Sequence, residues 1–354
     1  MPVQKITIDQ FATMPRNNFL LLDVRSPSEY DHAHIPGAFN LFLFSNEERK
    51  VVGTSYKQES RENAIKIGLT YFGPKMLAMI EEVEKLIAAD KYLKTLKDNK
   101  NVPIVVHCWR GGMRSAAVAW LLDLYGYNVH TIIGGYKAYR NLVINQFEFS
   151  YNFRVIGGYT GSGKTHILQL LSQKGEIIID FEDLAKHKGS AFGTVEGVVQ
   201  PSPEMFENLL AEELMKYKDK TIWVEDESQR IGDINMPLKL YLTKQQSSIY
   251  FLDIPFDERL DYIVEGYGKI SKDKLVNSII RIKKRLGGLE TKTAINCLLE
   301  DDIKGCFAIL LKYYDKHYLK GLYSRENIKT LLKTIPCNKV DAKENTNAIL
   351  ANLY

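Results

Sequence analysis

Two stretches of this 354-residue chain carry side chains whose types and spacing suit chemistry on anions. The first is His107-Cys108-Trp109-Arg110-Gly111-Gly112-Met113-Arg114-Ser115. An apolar run precedes it and a helical pattern follows it, which places Cys108 at a helix N-terminus, where backbone N–H groups face the loop. An unperturbed thiol titrates at about 8.5 and is mostly protonated at neutral pH. The helix end, Arg110 and Arg114 are expected to favour the thiolate. Gly111 and Gly112 let the backbone curl without a Cβ penalty. A thiolate inside a ring of amide donors suits sulfur-type transfer or attack on phosphorus. The structural alternative is a buried cysteine acting as a small apolar residue. The second stretch is Gly158-Tyr159-Thr160-Gly161-Ser162-Gly163-Lys164-Thr165. The amides of such a loop, here around Gly158, Gly161, Ser162 and Gly163, cradle phosphates. Lys164 neutralises them, and the Thr165 hydroxyl can hold Mg2+.

The elements that must position these groups are legible as short apolar runs alternating with helical patterns. Strands are expected at residues 20–24, 102–106 and 129–133, with helices at 76–96 and 115–125. The last is apolar nearly all round and is expected to be central. This makes the first part, residues 1–148, a parallel-type α/β domain. The second part, 149–260, opens with a strand at 154–157 that runs into the glycine-rich loop and then a helix. That context matches the P-loop pattern. Further strands are expected at 176–180, 221–225 and 249–252. Asp180, Glu225 and Asp226 end two of these strands on the P-loop side. They are candidates for positioning a metal or a water, and a surface or helix-capping role is the alternative. The motif implies bound phosphate and says nothing of ATP hydrolysis. From residue 256 onward helices dominate, and residues 261–354 form a helical C-terminal region.

Apolar residues make up 45% and charged residues 25%, as in an ordinary folded protein. No apolar run reaches the roughly 18–20 residues of a membrane span. The start lacks a basic head followed by an apolar core, so no export signal is expected. Four scattered cysteines without a C-x-x-C pair fit free thiols in a reducing cytoplasm. Net charge is +4, yet Lys and Arg outnumber Asp and Glu by about nine between Gly266 and Lys343. Such a basic region points to an anionic macromolecule, RNA first, with a solvated lysine-rich surface as the alternative. Arg281, Lys283, Lys284 and Arg285 are the candidate contacts. Tyr313, Tyr314 and Tyr318 either stack on a splayed base or belong to a helix core.

Leu22-Asp23-Val24-Arg25-Ser26-Pro27-Ser28-Glu29-Tyr30 and His34-Ile35-Pro36-Gly37-Ala38 resemble the N-terminal signature of rhodanese domains, with Cys108 on the nucleophile position. The loop departs from sulfurtransferases: five residues separate Cys108 from Arg114, one more than usual, as in cysteine phosphatases and rhodanese-fold phosphatases. The wider ring suits a tetrahedral, phosphate-sized anion.

The joined motifs resemble tRNA 2-selenouridine synthase. The resemblance is carried by the two loops and by Glu182-Asp183-Leu184-Ala185-x-His187-Lys188-Gly189-Ser190-x-Phe192-Gly193 and Val224-Glu225-Asp226-Glu227-Ser228-x-Arg230-Ile231-Gly232. Glu47-Glu48-Arg49, Val52-Gly53, Tyr56-Lys57 and Arg285-Leu286-Gly287-Gly288 add to it. It covers about Asp23 to Gly288. The resemblance implies a transferase that converts wobble 2-thiouridine of tRNA to 2-selenouridine. Selenophosphate would be the selenium donor, and S-geranylation by geranyl diphosphate would come first. It implies no tightly bound cofactor, with Mg2+ a candidate. A rhodanese-fold cysteine phosphatase and a persulfide-carrying adaptor gated by a nucleotide are the alternatives.

Overall fold

Strand-to-helix alternation with short connections builds parallel sheets, because a parallel neighbour can be reached only by a crossover. A computed structural model describes residues 3–91, 93, 102–187, 198–267 and 271–353. It divides into two units, Met1–Gln146 with Glu207–Glu212, and Phe147–Phe206 with Glu213–Tyr354.

The first unit contains β1 (Gln4–Ile6), α1 (Ile8–Thr13), β2 (Leu20–Asp23), α2 (Pro27–His32) and β3 (Phe39–Asn40). It continues with α3 (Asn46–Gln58), α4 (Arg61–Phe72), α5 (Met76–Ala89), β4 (Pro103–His107), α6 (Met113–Tyr125), β5 (Asn128–Ile132) and α7 (Gly135–Gln146). The sheet order is β1-β5-β4-β2-β3, with every pairing parallel. Leu20, Leu22, Ile104 and Val106 pack with Val118 and Leu122 in its core. The expected all-round burial of α6 does not hold: Trp120 is 51% and Leu124 68% exposed. The helix lies on one face of the sheet, so only its Val118–Leu121–Leu122 side is covered. The polar stretch after Ser45 forms two helices, α3 and α4, started by side-chain caps from Ser45 and Ser60.

The second unit runs through β6 (Asn152–Gly158), α8 (Lys164–Gln173), α9 (Phe181–Ala185), both ends of α10 (Pro203–Lys216, whose Glu207–Glu212 belong to the first unit), β7 (Thr221–Glu225), β8 (Arg230–Ile231) and β9 (Ile234–Asn235). It continues with α11 (Leu238–Gln245), β10 (Ser248–Asp253), α12 (Phe256–Tyr267), α13 (Lys272–Leu286), α14 (Gly288–Leu299) and α15 (Ile303–Tyr323). It closes with α16 (Ile328–Leu331), β11 (Leu332–Pro336) and α17 (Ala342–Ala351). Its main sheet is β11-β10-β6-β7, all parallel, and β8 and β9 form a small antiparallel pair.

Two expectations need correction. Residues 176–180 form no strand; Ile178 makes a single bridge to Trp223. Gly175 turns the chain just before it and Asp180 caps α9 just after it, which leaves too few residues for a ladder. The C-terminal region is not wholly helical either. β11 returns to the sheet edge beside β10, and α17 adds Ile349 to the core built from Ile156, Leu168 and Leu252. Helices α12–α15 meanwhile share a core of Leu260, Ile279, Leu298 and Leu310.

Candidate active site

In the first unit, β4 delivers Cys108 to a loop that ends at Met113, the first residue of α6. The loop is shaped by glycine where no other residue fits. Gly111 has φ +64°, and a Cβ there would lie 2.4 Å from the Ile132 carbonyl oxygen. The start of α7 pins the loop from below: the N–H groups of Tyr136 and Lys137 donate to the carbonyls of Cys108 and Trp109 at 2.8 and 2.9 Å. The thiol of Cys108 is 4% exposed, with Sγ 3.3 Å from the Ser115 hydroxyl. Burial pushes its pKa up, but the Ser115 hydroxyl and N–H, the Arg114 guanidinium and the Gly112 N–H outweigh burial and hold it below the ordinary thiol value.

Arg114 is itself fixed. Its two terminal nitrogens donate to the Glu29 carboxylate at 2.6 and 3.3 Å. Glu29 sits in the first turn of α2 and also accepts from the Ser26 N–H. Burial raises the pKa of Glu29, and Arg114, the Ser26 N–H and Arg49 bring it below the ordinary carboxylate value. Beneath the loop, Asp23 and Arg25 form a buried pair at 2.6 Å, and the Arg25 guanidinium lies 3.8 Å from the centre of the Tyr136 ring. Arg110 is exposed and has no acidic partner among the described residues. The lowered thiol therefore rests on Ser115, Arg114 and the Gly112 N–H, and Ser115 and Glu29 stand at this site although the sequence reading does not assign them.

The Ser115 contact gives a direct prediction. Replacing Ser115 by alanine removes the hydroxyl that lies 3.3 Å from Sγ and 3.0 Å from the Gly112 carbonyl, and with it the largest support of the lowered thiol pKa. Reaction of Cys108 requires the thiolate, which is present above the thiol pKa and lost as pH falls through it. The variant's alkylation rate with iodoacetamide is therefore expected to rise at a higher pH than the wild type's. An unchanged profile would remove Ser115 from the account.

In the second unit, β6 runs directly into the glycine-rich loop. Gly158, Gly161 and Gly163 all have positive φ, and a Cβ on Gly161 would lie 2.7 Å from the Ile263 side chain. Ser162 is buried and its hydroxyl donates to the Tyr159 carbonyl at 2.7 Å. Lys164 begins α8 and donates across the loop to the carbonyls of Gly158 and Tyr159 at 3.2 and 3.4 Å. The loop is braced from α12 and α15. Arg259 donates to the Thr160 carbonyl at 3.0 Å and pairs with Asp315 through two bonds. The Gly158 N–H donates to the Tyr318 hydroxyl at 3.1 Å, and that hydroxyl donates to Asp226 at 2.8 Å. Tyr318 is thus a brace of the cradle.

The three carboxylates proposed near the loop separate into different roles. Asp180 caps α9 by accepting from the Asp183 N–H at 2.9 Å. Asp226 is buried between Lys244 and Arg325, at 3.3 and 2.7 Å. Burial works against its charge, but those two cations and Tyr318 keep its pKa below the ordinary value. Glu225 alone faces Lys164 and Thr165. Burial, Glu227 and Glu182 push its pKa up to about 8 against the opposing pull of Lys164 and Thr165. Its Oε1 is buried with no hydrogen-bond partner. The sequence reading does not assign Glu182 and Glu227; Glu227 lies just past the end of β7, where its N–H donates to the Glu225 carbonyl at 2.9 Å and turns the chain. Among the described residues no three His, Cys, Asp or Glu converge as a protein-only metal site.

A cleft in this unit is lined by Arg281, Arg285, Arg230, His187, Tyr313 and Tyr314. Arg281 and Arg285 stand one turn apart on α13, exposed and without an acidic partner among the described residues. Arg230 is paired with Asp233 at 3.0 Å. Lys283 and Lys284 are exposed on the same helix and do not line the cleft; with Arg285 they also complement the helix C-terminus. Tyr313 and Tyr314 pack partly into the helical core while facing the cleft. Of the motif that begins at Glu182, residues 188–193 lie outside the described residues. No helix among the described residues is long and apolar enough to cross a membrane.

Two family models match the chain: a rhodanese-like domain over residues 7–142 and a tRNA 2-selenouridine synthase AAA domain over 151–334. A tRNA 2-selenouridine synthase of Bdellovibrio bacteriovorus is 35% identical over 88% of this chain and 77% of its own length. That of Shewanella pealeana is 33% identical over 90% of this chain and 93% of its own. That of Pseudomonas fluorescens is 32% identical over 84% and 83%.

Proposed function

This chain belongs to the tRNA 2-selenouridine synthase family, and on that premise we propose that it replaces the sulfur of wobble 2-thiouridine in tRNA by selenium. Selenophosphate is the donor, and S-geranylation by geranyl diphosphate precedes the exchange. The observation that carries this reading is the presence of two anion cradles of different character. One is built on a thiol with a lowered pKa, the other on an ammonium and backbone amides.

At the P-loop, the nucleobase sulfur attacks the first carbon of the geranyl group. A C–S bond forms, the C–O bond breaks, diphosphate departs and the base loses its N3 proton. Lys164 and the loop amides stabilise the charge that grows on the departing diphosphate. Thr165 and the unpartnered oxygen of Glu225 are the residues that fit Mg2+ here. That ion would add further neutralisation, with the substrate's phosphates completing its shell. At the cysteine loop, Arg110 and Arg114 hold the phosphoryl oxygens of selenophosphate beside Cys108. The P–Se bond breaks with the phosphoryl group passing finally to water; the freed hydroselenide attacks the base carbon that bears sulfur, the C–S bond breaks, its proton goes to N3, and geranylthiolate departs, a better leaving group than the unalkylated sulfur.

The arginine pair of the cleft fits the phosphates of a tRNA loop, and the tyrosines fit its unstacked bases. The double substitution Arg281→Ala with Arg285→Ala is expected to weaken tRNA binding and to lower the slope of log affinity against log salt. The decrease should be about 0.7 for each phosphate that is no longer neutralised. Titration of labelled tRNA at several salt concentrations measures it; an unchanged slope would take these arginines out of the interface.

The function itself is tested by mass spectrometry of tRNA nucleosides after incubation with each donor. Geranylated nucleoside with geranyl diphosphate alone, and 2-selenouridine with both donors, are expected. Unchanged 2-thiouridine with both donors and a suitable tRNA would overturn the reading.

A further inference from the structure

We propose that Cys108 attacks phosphorus: the protein cleaves selenophosphate through an S-phosphocysteine and so releases hydroselenide as the selenium nucleophile. This rests on the reading of selenophosphate as donor. Three features of the loop carry it. Five residues separate Cys108 from Arg114, the spacing that resembles cysteine phosphatases, whose ligand is a tetrahedral anion. Ser115, directly after that arginine, places its hydroxyl 3.3 Å from Sγ and supports the thiolate, as a nucleophile for phosphorus requires. Arg114 is clamped by Glu29 through two N–H groups. A guanidinium has five, so three remain to bind phosphoryl oxygens in a fixed orientation.

The fourth feature is a missing partner. Cleavage of an ordinary phosphate ester needs an acid to protonate the leaving alkoxide. Of the three carboxyls carried by β2 and α2, Asp23 and Glu29 are paired with arginine and held ionised, and Asp31 is exposed at the surface. His107 is fully buried, and burial keeps it neutral. Neither kind of group can supply a proton at neutral pH. Hydroselenide needs none, because hydrogen selenide is an acid of roughly carboxylic strength and its anion leaves unaided. The loop is therefore matched to a phosphoryl donor with a good leaving group and mismatched to alkyl phosphates.

The balance is simple. The thiolate of Cys108 forms an S–P bond as the P–Se bond of selenium-protonated selenophosphate breaks, and the electron pair leaves on selenium, which keeps its proton and departs as hydroselenide. Water later attacks phosphorus, the S–P bond breaks, inorganic phosphate departs and the thiol is regenerated. No oxidation or reduction occurs.

The full chain is mixed with selenophosphate in the absence of tRNA, quenched in acid, and digested for mass spectrometry of the Cys108 peptide. A phosphoryl adduct on Cys108 and a burst of hydroselenide are expected, and Arg114→Ala is expected to lower the burst by about a hundredfold. The full chain is also expected to hydrolyse p-nitrophenyl phosphate slowly and glycerol phosphate not at all. A selenium adduct on Cys108, or hydroselenide release with the thiol unmodified, would overturn the proposal while leaving tRNA selenation intact. Conversely, a phosphocysteine formed by a protein that never modifies tRNA would uphold this chemistry and remove the functional reading above it.

Discussion

Replacing Cys108 by alanine is expected to leave geranylation of 2-thiouridine at its wild-type rate and to reduce formation of 2-selenouridine by at least about a thousandfold, so that geranylated tRNA accumulates. The damage should stay local. Cys108 contributes one small buried side chain to the core, and the loop around it is held by backbone bonds from the start of α7, which alanine does not disturb. What is lost is the nucleophile that Ser115 and Arg114 hold ready. The nucleoside profile with both donors measures the effect. Equal loss of both products in a folded variant would contradict the division between the two cradles.

The second large effect falls on Lys164. Alanine at this position is expected to lower kcat/KM for geranylation by about 10²–10³, the cost of removing one preorganised charge from a departing oxyanion. Its ammonium bridges the carbonyls of Gly158 and Tyr159, whereas the loop is braced independently by Arg259, Asp315 and Tyr318. The fold should therefore survive, and the melting temperature of the variant checks that. The defect should appear in kcat more than in KM, because the charge on the diphosphate grows as the C–O bond breaks.

What is legible in the sequence depends on the distance between partners. Both cradles were legible because strand, glycine loop and helix are contiguous, so a single motif contains the geometry. Their supports were not. Glu29 lies 85 positions before Arg114, and Asp226 lies 99 before Arg325. No local pattern announces such pairs. Glu225 and Asp226 were indistinguishable as neighbours at a strand end. Alternation of side chains sends one toward Lys164 and the other into a buried ion cluster. β11 was hidden because Lys333 and Thr334 are exposed on an edge strand, where the apolar run that marks a central strand is not required. The tyrosines of α15 divide in a way that helical spacing alone does not reveal: Tyr318 braces the P-loop, while Tyr313 and Tyr314 line the cleft.

The central claim is that each cradle performs one step. Supplying tRNA that already carries S-geranyl-2-thiouridine, together with selenophosphate, to the Lys164→Ala and Cys108→Ala proteins tests it most directly. The account predicts 2-selenouridine from the Lys164 variant at close to the wild-type rate and none from the Cys108 variant. Failure of the Lys164 variant on this pre-alkylated substrate would contradict it.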